Sequence, residues 1–432
     1  MQLHYLTSAT PPPQSDNLII FLHGFPDSAH LWSSTLSSSL SKTATLIALD
    51  LPGCGGSDSL PAYGANEMLN AVTEGIISLR NTYLPQSSGG VILVGHDWGG
   101  VITYRLGAEA PGLVSRIVVM NTAYVPHMSA TIRSLLATAR RSWYTYTEAP
   151  VTQTQLLTPA KQSLGLIGTQ LLKSNYIFIF QLPFRIAHYL PSVSRYLLSV
   201  THRLAHRERD PLRTRLPPGL AARATAASNG PSAAAAQTRT ADGGSYGASV
   251  VRRAQSDGDW DQRILVYKQG LASRRWTHSA AVKAFLSSGS SPSSSTFAAG
   301  DAAANDSPLV SGAQVLTSRL DPSRAVPANS PAQDLAGFKV PATVLFGMKD
   351  PALDPRVVLD GIEAYFAPGS QGGRQDKSHV LKMAKCGHWS PVEEEGREVL
   401  GSVLKWMVEG NGKMGLDEVK GLGGGKVQMS VY

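Results

Sequence analysis

Short, almost wholly apolar runs alternate with longer amphipathic stretches through the first third of the chain. Residues 18–22 (LIIFL), 45–49 (TLIAL), 91–94 (VILV) and 116–120 (RIVVM) are too short for helices and lack the polar alternation of a half-exposed strand. They read as strands covered on both faces. Between them, residues 29–40 set Leu31, Trp32, Leu36 and Leu40 at helical spacing, and residues 66–84 do the same with Leu69, Val72, Ile76, Leu79 and Tyr83. Residues 2–7 add an edge strand before the Pro11-Pro12-Pro13 turn. Strand and helix in alternation predict an α/β fold with a mostly parallel sheet, right-handed crossovers and helices on both faces.

The alternation stops after Thr122. The next convincing strand is 342–346, followed by a last one at 379–383. The chain therefore divides into a core of residues 1–122 and 336–408, an insertion of residues 123–335, and a tail of residues 409–432 read as flexible. Residues 217–247 are rich in Ala, Ser, Thr and Gly, and residues 287–311 are nearly all Ser, Ala, Gly, Pro and Asp. Neither stretch has enough large apolar side chains to offset its ordering entropy, so both are expected to be mobile loops.

Composition narrows the context. The chain has 432 residues and only two cysteines, Cys54 and Cys386, far apart in sequence. No disulfide framework and no Cys/His cluster at metal-ligand spacing is present, so a reducing compartment is expected and a structural metal is not. The first 17 residues lack a basic start followed by an apolar run, and the apolar run 176–180 is too short to cross a bilayer, so the expectation is a soluble cytoplasmic protein without a membrane span. Net charge is +8, but 21 Lys and Arg against 7 Asp and Glu fall between Thr131 and Phe285. These cations are scattered and not interleaved with aromatics, which predicts a solvated basic surface and no nucleic-acid partner.

The strand 91–94 runs into Gly95-His96-Asp97-Trp98-Gly99-Gly100, a tight turn before a helix. Small flanking residues are what a turn needs if it is to hold its apex side chain, Asp97, exposed between closely approaching backbones. An Asp capping the following helix would give a similar pattern. The glycine-rich loop 50–58 (DLPGCGGSD) follows a strand but lacks the spacing of a dinucleotide-binding loop, so no cofactor is expected.

Gly-x-Asp-x-Gly at this junction resembles the nucleophile elbow of the α/β-hydrolase fold, specifically of its epoxide-hydrolase branch, with aspartate where esterases carry serine. Other segments resemble the same family: His23-Gly24-Phe25-Pro26, Asp50 to Asp58, Gly347-Met348-Lys349-Asp350, and Gly387-His388-Trp389. The resemblance implies Asp97 as nucleophile, Asp350 as triad acid (with Asp354 as a neighbouring alternative), His388 as base, and the backbone N–H groups of Phe25 and Trp98 as oxyanion donors. Asn121, after strand 116–120, stands where some relatives place the acid and cannot serve as a carboxylate. The insertion then corresponds to the family's helical cap domain, and Tyr176-Ile177-Phe178-Ile179-Phe180-Gln181-Leu182-Pro183 resembles its Tyr-x-x-x-Phe-Gln-x-Pro segment, which makes Tyr176 the proton donor to an epoxide oxygen. A second tyrosine usual in the family aligns with Trp276 or Thr277, with Tyr267 and Tyr246 as unranked neighbours. The expected activity is opening of a small hydrophobic epoxide to a diol, with no cofactor. Dehalogenation of a haloalkane and a non-catalytic ligand-binding role are the alternatives. Phe25 stands where dehalogenases carry Asn, and all three triad positions are filled.

Overall fold

The apolar runs become the middle of a nine-stranded sheet in the order β6-β1-β3-β2-β4-β5-β7-β8-β9. In this computed structural model the described residues are 1–8, 16–84, 90–149, 153–181, 227–240, 243–255, 263–288, 314–317, 337–367, 377–409 and 427–432. The strands are β1 Gln2–Thr7, β2 Leu18–Leu22, β3 Thr45–Leu49, β4 Val91–His96, β5 Arg116–Met120, β6 Gln314–Thr317, β7 Ala342–Gly347, β8 His379–Met383 and β9 Val427–Val431. The six from β3 to β8 in the sheet order pair in parallel, while β1 is antiparallel to both β3 and β6, and β9 to β8. All five residues of β2 are buried because both faces are covered. Leu18, Ile20 and Leu22 share a core with Ile76 and Leu79 of α2 (Ala65–Tyr83) and with Ile102 and Leu106 of α3 (Trp98–Glu109). Ile19 and Phe21 point the other way, onto Leu31 and Trp32 and onto Val399 and Val403 of the helix Glu394–Glu409.

Three expectations from the sequence are corrected. Residues 29–40 form no continuous helix but a 3₁₀ turn (Ala29–Trp32), a single α turn α1 (Ser33–Leu36) and a second 3₁₀ turn (Ser39–Lys42). The run of serines explains this: Ser33, Ser37, Ser38 and Ser41 each donate a hydroxyl to the carbonyl three or four residues back. Such bonds compete with helix propagation. Nor is the tail loose throughout, since Val427–Val431 extends the sheet beside β8, with Val427 buried against its second core. Strand β6, at the other edge, was missed because four residues carry too little periodicity.

Of the insertion, the described part is mainly helical: α4 Val125–Glu148, α5 Thr158–Lys173, α6 Asn175–Phe180, and the helices Ala248–Gln255, Leu265–Lys268 and Ala280–Ser287. Polar ties fasten it to the core. Arg105 donates to the carbonyls of Leu271 (2.7 Å) and Arg274 (2.8 Å), and Arg253 to those of Gly55 (2.8 Å) and Ser57 (2.7 Å). Within the stretch read as a mobile loop, the Ser228 carbonyl accepts from the Gly55 N–H (3.0 Å). Residues 217–226, 241–242 and 289–311 of the expected loops lie outside the described residues.

The parallel register aligns the C-terminal ends of β2, β4, β5 and β7: Leu22 pairs with Gly95, His96 with Met120, and Met120 with Leu345. Chain segments leaving these ends meet over one crevice, the usual binding place on an open α/β sheet. Asp50, at the end of β3, anchors the rim. Its carboxylate accepts from His4 Nδ1 (2.6 Å), the Ala29 N–H (2.7 Å) and the Gly56 N–H (3.0 Å). Burial alone would raise its pKa, but His4 and these N–H donors hold it down at about 2. Asp50→Ala therefore leaves buried donors unpaired and is expected to lower stability by about 3–5 kcal/mol, measured by urea unfolding. In the wild type the Asp50 contribution is present above the ordinary carboxylate pKa and is lost as pH falls towards 2.

Candidate active site

Asp97 sits between β4 and α3 with φ 50° and ψ −120°, in the left-handed half of backbone space that a non-glycine residue occupies only under constraint. Two glycines permit this. A Cβ on Gly99 would run into the carbonyl oxygens of Leu22 and His23, and one on Gly24 would overlap the Asp97 side chain. The close approach brings the Phe25 N–H to 2.8 Å from Asp97 Oδ1, and the Trp98 N–H also bonds to this carboxylate. Both predicted oxyanion donors therefore converge on the predicted nucleophile. The turn at Gly24 is fixed by His23, whose Nδ1 donates to the Gly24 carbonyl (2.8 Å) while Nε2 accepts from the Leu51 N–H (3.0 Å). Burial lowers the His23 pKa and keeps the ring neutral, which this pair of roles requires.

His388 follows β8, and its Nε2 lies 3.7 Å from Asp97 Oδ2 while its Nδ1 lies 2.9 Å from Asp350 Oδ2. Burial would depress the pKa of this imidazole, but the Asp350 charge and hydrogen bond, with a smaller push from Asp97, raise it to about 9. Asp350 is saturated with donors: Asn121 Nδ2 (2.8 Å) on Oδ2, and the N–H groups of Ala352 (2.7 Å) and Leu353 (3.0 Å) on Oδ1. Although burial works against it, the His388 charge and these bonds hold the Asp350 carboxyl below its ordinary range. Asp97 is pushed the other way by burial, only partly offset by His388 and the two N–H donors. Asp354 is not the partner of His388; it chelates Arg356 at 2.9 and 2.7 Å.

Asn121, noted in the sequence only as a missing carboxylate, is a positioning residue for the acid. Its amide nitrogen holds Asp350, and its amide oxygen accepts from Ser390 Oγ (2.7 Å) and the Gly347 N–H (3.2 Å). Lys173 at the end of α5 donates to the carbonyls of Asp350 (2.7 Å) and Leu353 (2.9 Å), tying the insertion to the acid loop.

Above Asp97 the insertion supplies aromatic rings. Tyr176 on α6 and Tyr267 on the helix Leu265–Lys268 interact through their hydroxyls. Both side chains are half-buried, and this partial desolvation together with the nearby Asp97 charge raises their pKa values, so both phenols stay protonated. Tyr267 packs edge-on to Trp98 (4.8 Å between centroids) and to Phe25 (5.5 Å), and Phe180 lies 5.0 Å from Tyr267. Gln181 Nε2 donates to the Tyr267 carbonyl (2.8 Å), linking the two tyrosine segments. The alignment of the second tyrosine with Trp276 or Thr277 is corrected. Trp276 Nε1 binds Asn70 (2.9 Å) and the Thr277 N–H binds Asn66 (2.7 Å), both on α2 outside the crevice, and Tyr246 lies against His4. Of the two tyrosines that sequence spacing left unranked, Tyr267 is the one beside Tyr176 and Trp98. An apolar cavity opens beside Phe25 and Trp98, lined also by Leu51, Tyr63, Met68 and Val266.

The sheet order and the strand–turn–helix elbow are those of the α/β-hydrolase fold, and residues 17–172 match the family model described as alpha/beta hydrolase fold. Its sequence similarity runs to the epoxide-hydrolase branch. The chain is 28% identical over 186 residues to epoxide hydrolase 3 of Xenopus tropicalis, a match covering 42% of this chain and 39% of that protein. It is 26% identical over 202 residues to epoxide hydrolase 4 of Mus musculus, covering 42% of this chain and 53% of that protein. The chain thus spans roughly half or less of the length of these relatives. Among solved structures, an epoxide hydrolase from Bacillus megaterium in complex with an inhibitor superposes with a TM-score of 0.46 at 19% identity, covering 94% of this chain and 96% of that one.

The charge arrangement around His388 is directly measurable. In isotope-labelled protein its imidazole is expected to titrate at about 9. Asp350→Asn removes the largest opposing charge, so the titration should move down, with burial then opposed chiefly by Asp97. Because the folded-state pKa is raised, the stability from this group is complete below the unfolded value of about 6.5 and is lost as pH rises through about 9.

Proposed function

We propose that the protein hydrolyses an epoxide to a vicinal diol through an ester at Asp97. The observation that carries this reading is a pair of neutral tyrosines, Tyr176 and Tyr267, held near a carboxylate among the rings of Phe25, Trp98 and Phe180. A carboxylate can displace oxygen from alkyl carbon, but the departing alkoxide is a base about as strong as hydroxide, whose conjugate acid titrates at roughly 16. A phenol, even with its pKa raised, is acidic enough to protonate it.

In the proposed sequence, an Asp97 oxygen forms the new bond to an epoxide carbon as the carbon–oxygen bond breaks, and Tyr176, assisted by Tyr267, gives its proton to the departing oxygen. Esterification removes the negative charge at Asp97, and with it one of the interactions that hold the proton on His388, which then passes through solvent to the tyrosinate. His388, oriented by Asp350, then takes a proton from water as that water attacks the ester carbonyl carbon. The tetrahedral oxyanion lies between the N–H groups of Phe25 and Trp98. Collapse expels the second diol oxygen, which takes the proton from His388, and the regenerated Asp97 carboxyl passes its own proton back to His388, restoring the starting charges. The net change is epoxide plus water to diol, and no cofactor enters it. Intracellular, soluble operation is part of this proposal.

Its steps can be tested one by one. Single turnover in heavy-oxygen water is expected to leave label in a peptide containing Asp97, and Asp97→Asn to abolish turnover without loss of fold; label confined to the diol would mean direct attack by water. His388→Gln is expected to trap the ester, seen by mass spectrometry as a protein carrying one epoxide equivalent. Tyr176→Phe keeps the ring but removes the proton, and alkylation measured by stopped-flow tryptophan fluorescence should slow by about a hundred- to ten-thousand-fold, less where Tyr267 substitutes as donor.

A further inference from the structure

The insertion has an outer surface that the site does not use. Helices α4 and α5 pack side by side as a hairpin, meeting through the small buried side chains Ala139, Ser142, Ala160 and Ser163. Their large apolar residues instead face solvent. Leu136, Trp143 and Tyr144 fall at i, i+7 and i+8 on α4, and Leu164, Leu171 and Leu172 repeat that spacing on α5; Trp143 is 57% exposed and Leu172 74%. On each helix the exposed stripe lies clockwise of the shared seam, seen from its own N-terminus. In an antiparallel pair this places both stripes on one side of the hairpin. Exposed apolar area gathered in this way marks an interaction surface.

Charge selects the partner. Residues 125–181 contain five cations, Arg133, Arg140, Arg141, Lys161 and Lys173, and one acid, Glu148. Lys173 is committed to the acid loop. Arg133 and Arg140 share the α4 stripe, with Arg140 stacked over the Tyr144 ring at 5.4 Å. A second copy of this chain would bring the same arginines against them, which like-charge repulsion opposes. Exposed Trp, Tyr and Leu interspersed with arginine instead match a helix lying in the membrane–water interface, with rings at headgroup depth and guanidinium groups on lipid phosphate. No described helix is long and apolar enough to cross a membrane. We infer that the outer face of the α4–α5 hairpin docks peripherally on an anionic lipid membrane.

The test is cosedimentation of the full chain with vesicles of phosphatidylcholine alone and of phosphatidylcholine with phosphatidylserine. Binding is expected to the second kind and to weaken as salt is raised. Arg140→Gln and Arg141→Gln should each weaken it about fivefold, and the pair Trp143→Ser with Leu172→Ser should remove it. All four side chains are exposed, so melting temperature and turnover of a short water-soluble epoxide should be unchanged in these variants. Absence of wild-type binding to either vesicle would overturn the proposal. So would undiminished binding by the variants, or a wild-type dimer in sedimentation velocity that Trp143→Ser dissolves, which would make this face an interface between copies. Vesicle binding as expected alongside no epoxide turnover would uphold the surface and sink the proposed reaction instead.

Discussion

One buried imidazole stands between two carboxylates, and much of the surrounding structure serves to keep those carboxylates different. Asp350 is given an amide and two backbone N–H groups in addition to His388, so its charge is stabilised at all ordinary pH. Asp97 receives two N–H donors and remains beside an open crevice, with burial raising its pKa. The asymmetry fixes His388 towards Asp350 and leaves Asp97 the less stabilised of the two carboxylates. In the proposed reaction the same asymmetry times the base, because losing the Asp97 charge is what loosens the proton on His388.

The sheet supplies the precision this requires. In-register parallel strands deliver His23, Asp97, Asn121 and Asp350 from four adjacent strand ends, and the turn after β8 adds His388. Small buried constraints refine the placement. His96, directly before the elbow, donates from Nε2 to the His388 carbonyl at 2.8 Å, and Trp389 Nε1 donates to Asp27 at 3.2 Å. Burial drives the His96 pKa down to about 3, so no second cation competes beside His388.

The insertion supplies the roof and is built differently from the core. Its described helices are held by an apolar core shared through Leu265, Leu271, Trp276 and Val282, and by arginine and lysine side chains donating to carbonyls across the junction. Arg105, Arg253 and Lys173 reach across it or from it at three separate places, which fixes Tyr176 and Tyr267 over Asp97 while leaving large apolar side chains of α4 and α5 outside. Part of the chain's excess positive charge is thus structural and inward, and part faces solvent.

Much of the core was legible in the sequence, because a buried parallel strand must be continuously apolar and a strained elbow must have glycine around it. Residues 18–22, 45–49, 91–94 and 116–120 needed no other information, nor did the identity of Asp97 and His388 as candidates. Where serines at 33, 37, 38 and 41 would divert their hydroxyls to the backbone was not visible in apolar spacing alone. Nor was the pairing of Val427–Val431 with β8, since a strand edge seventeen residues beyond the last helix is a contact at a distance. The choice of Tyr267 over Trp276, and of Asn121 as holder of Asp350, belongs wholly to tertiary structure. Each depends on which side chains from remote segments converge within hydrogen-bonding distance, and one-dimensional spacing carries no record of that distance.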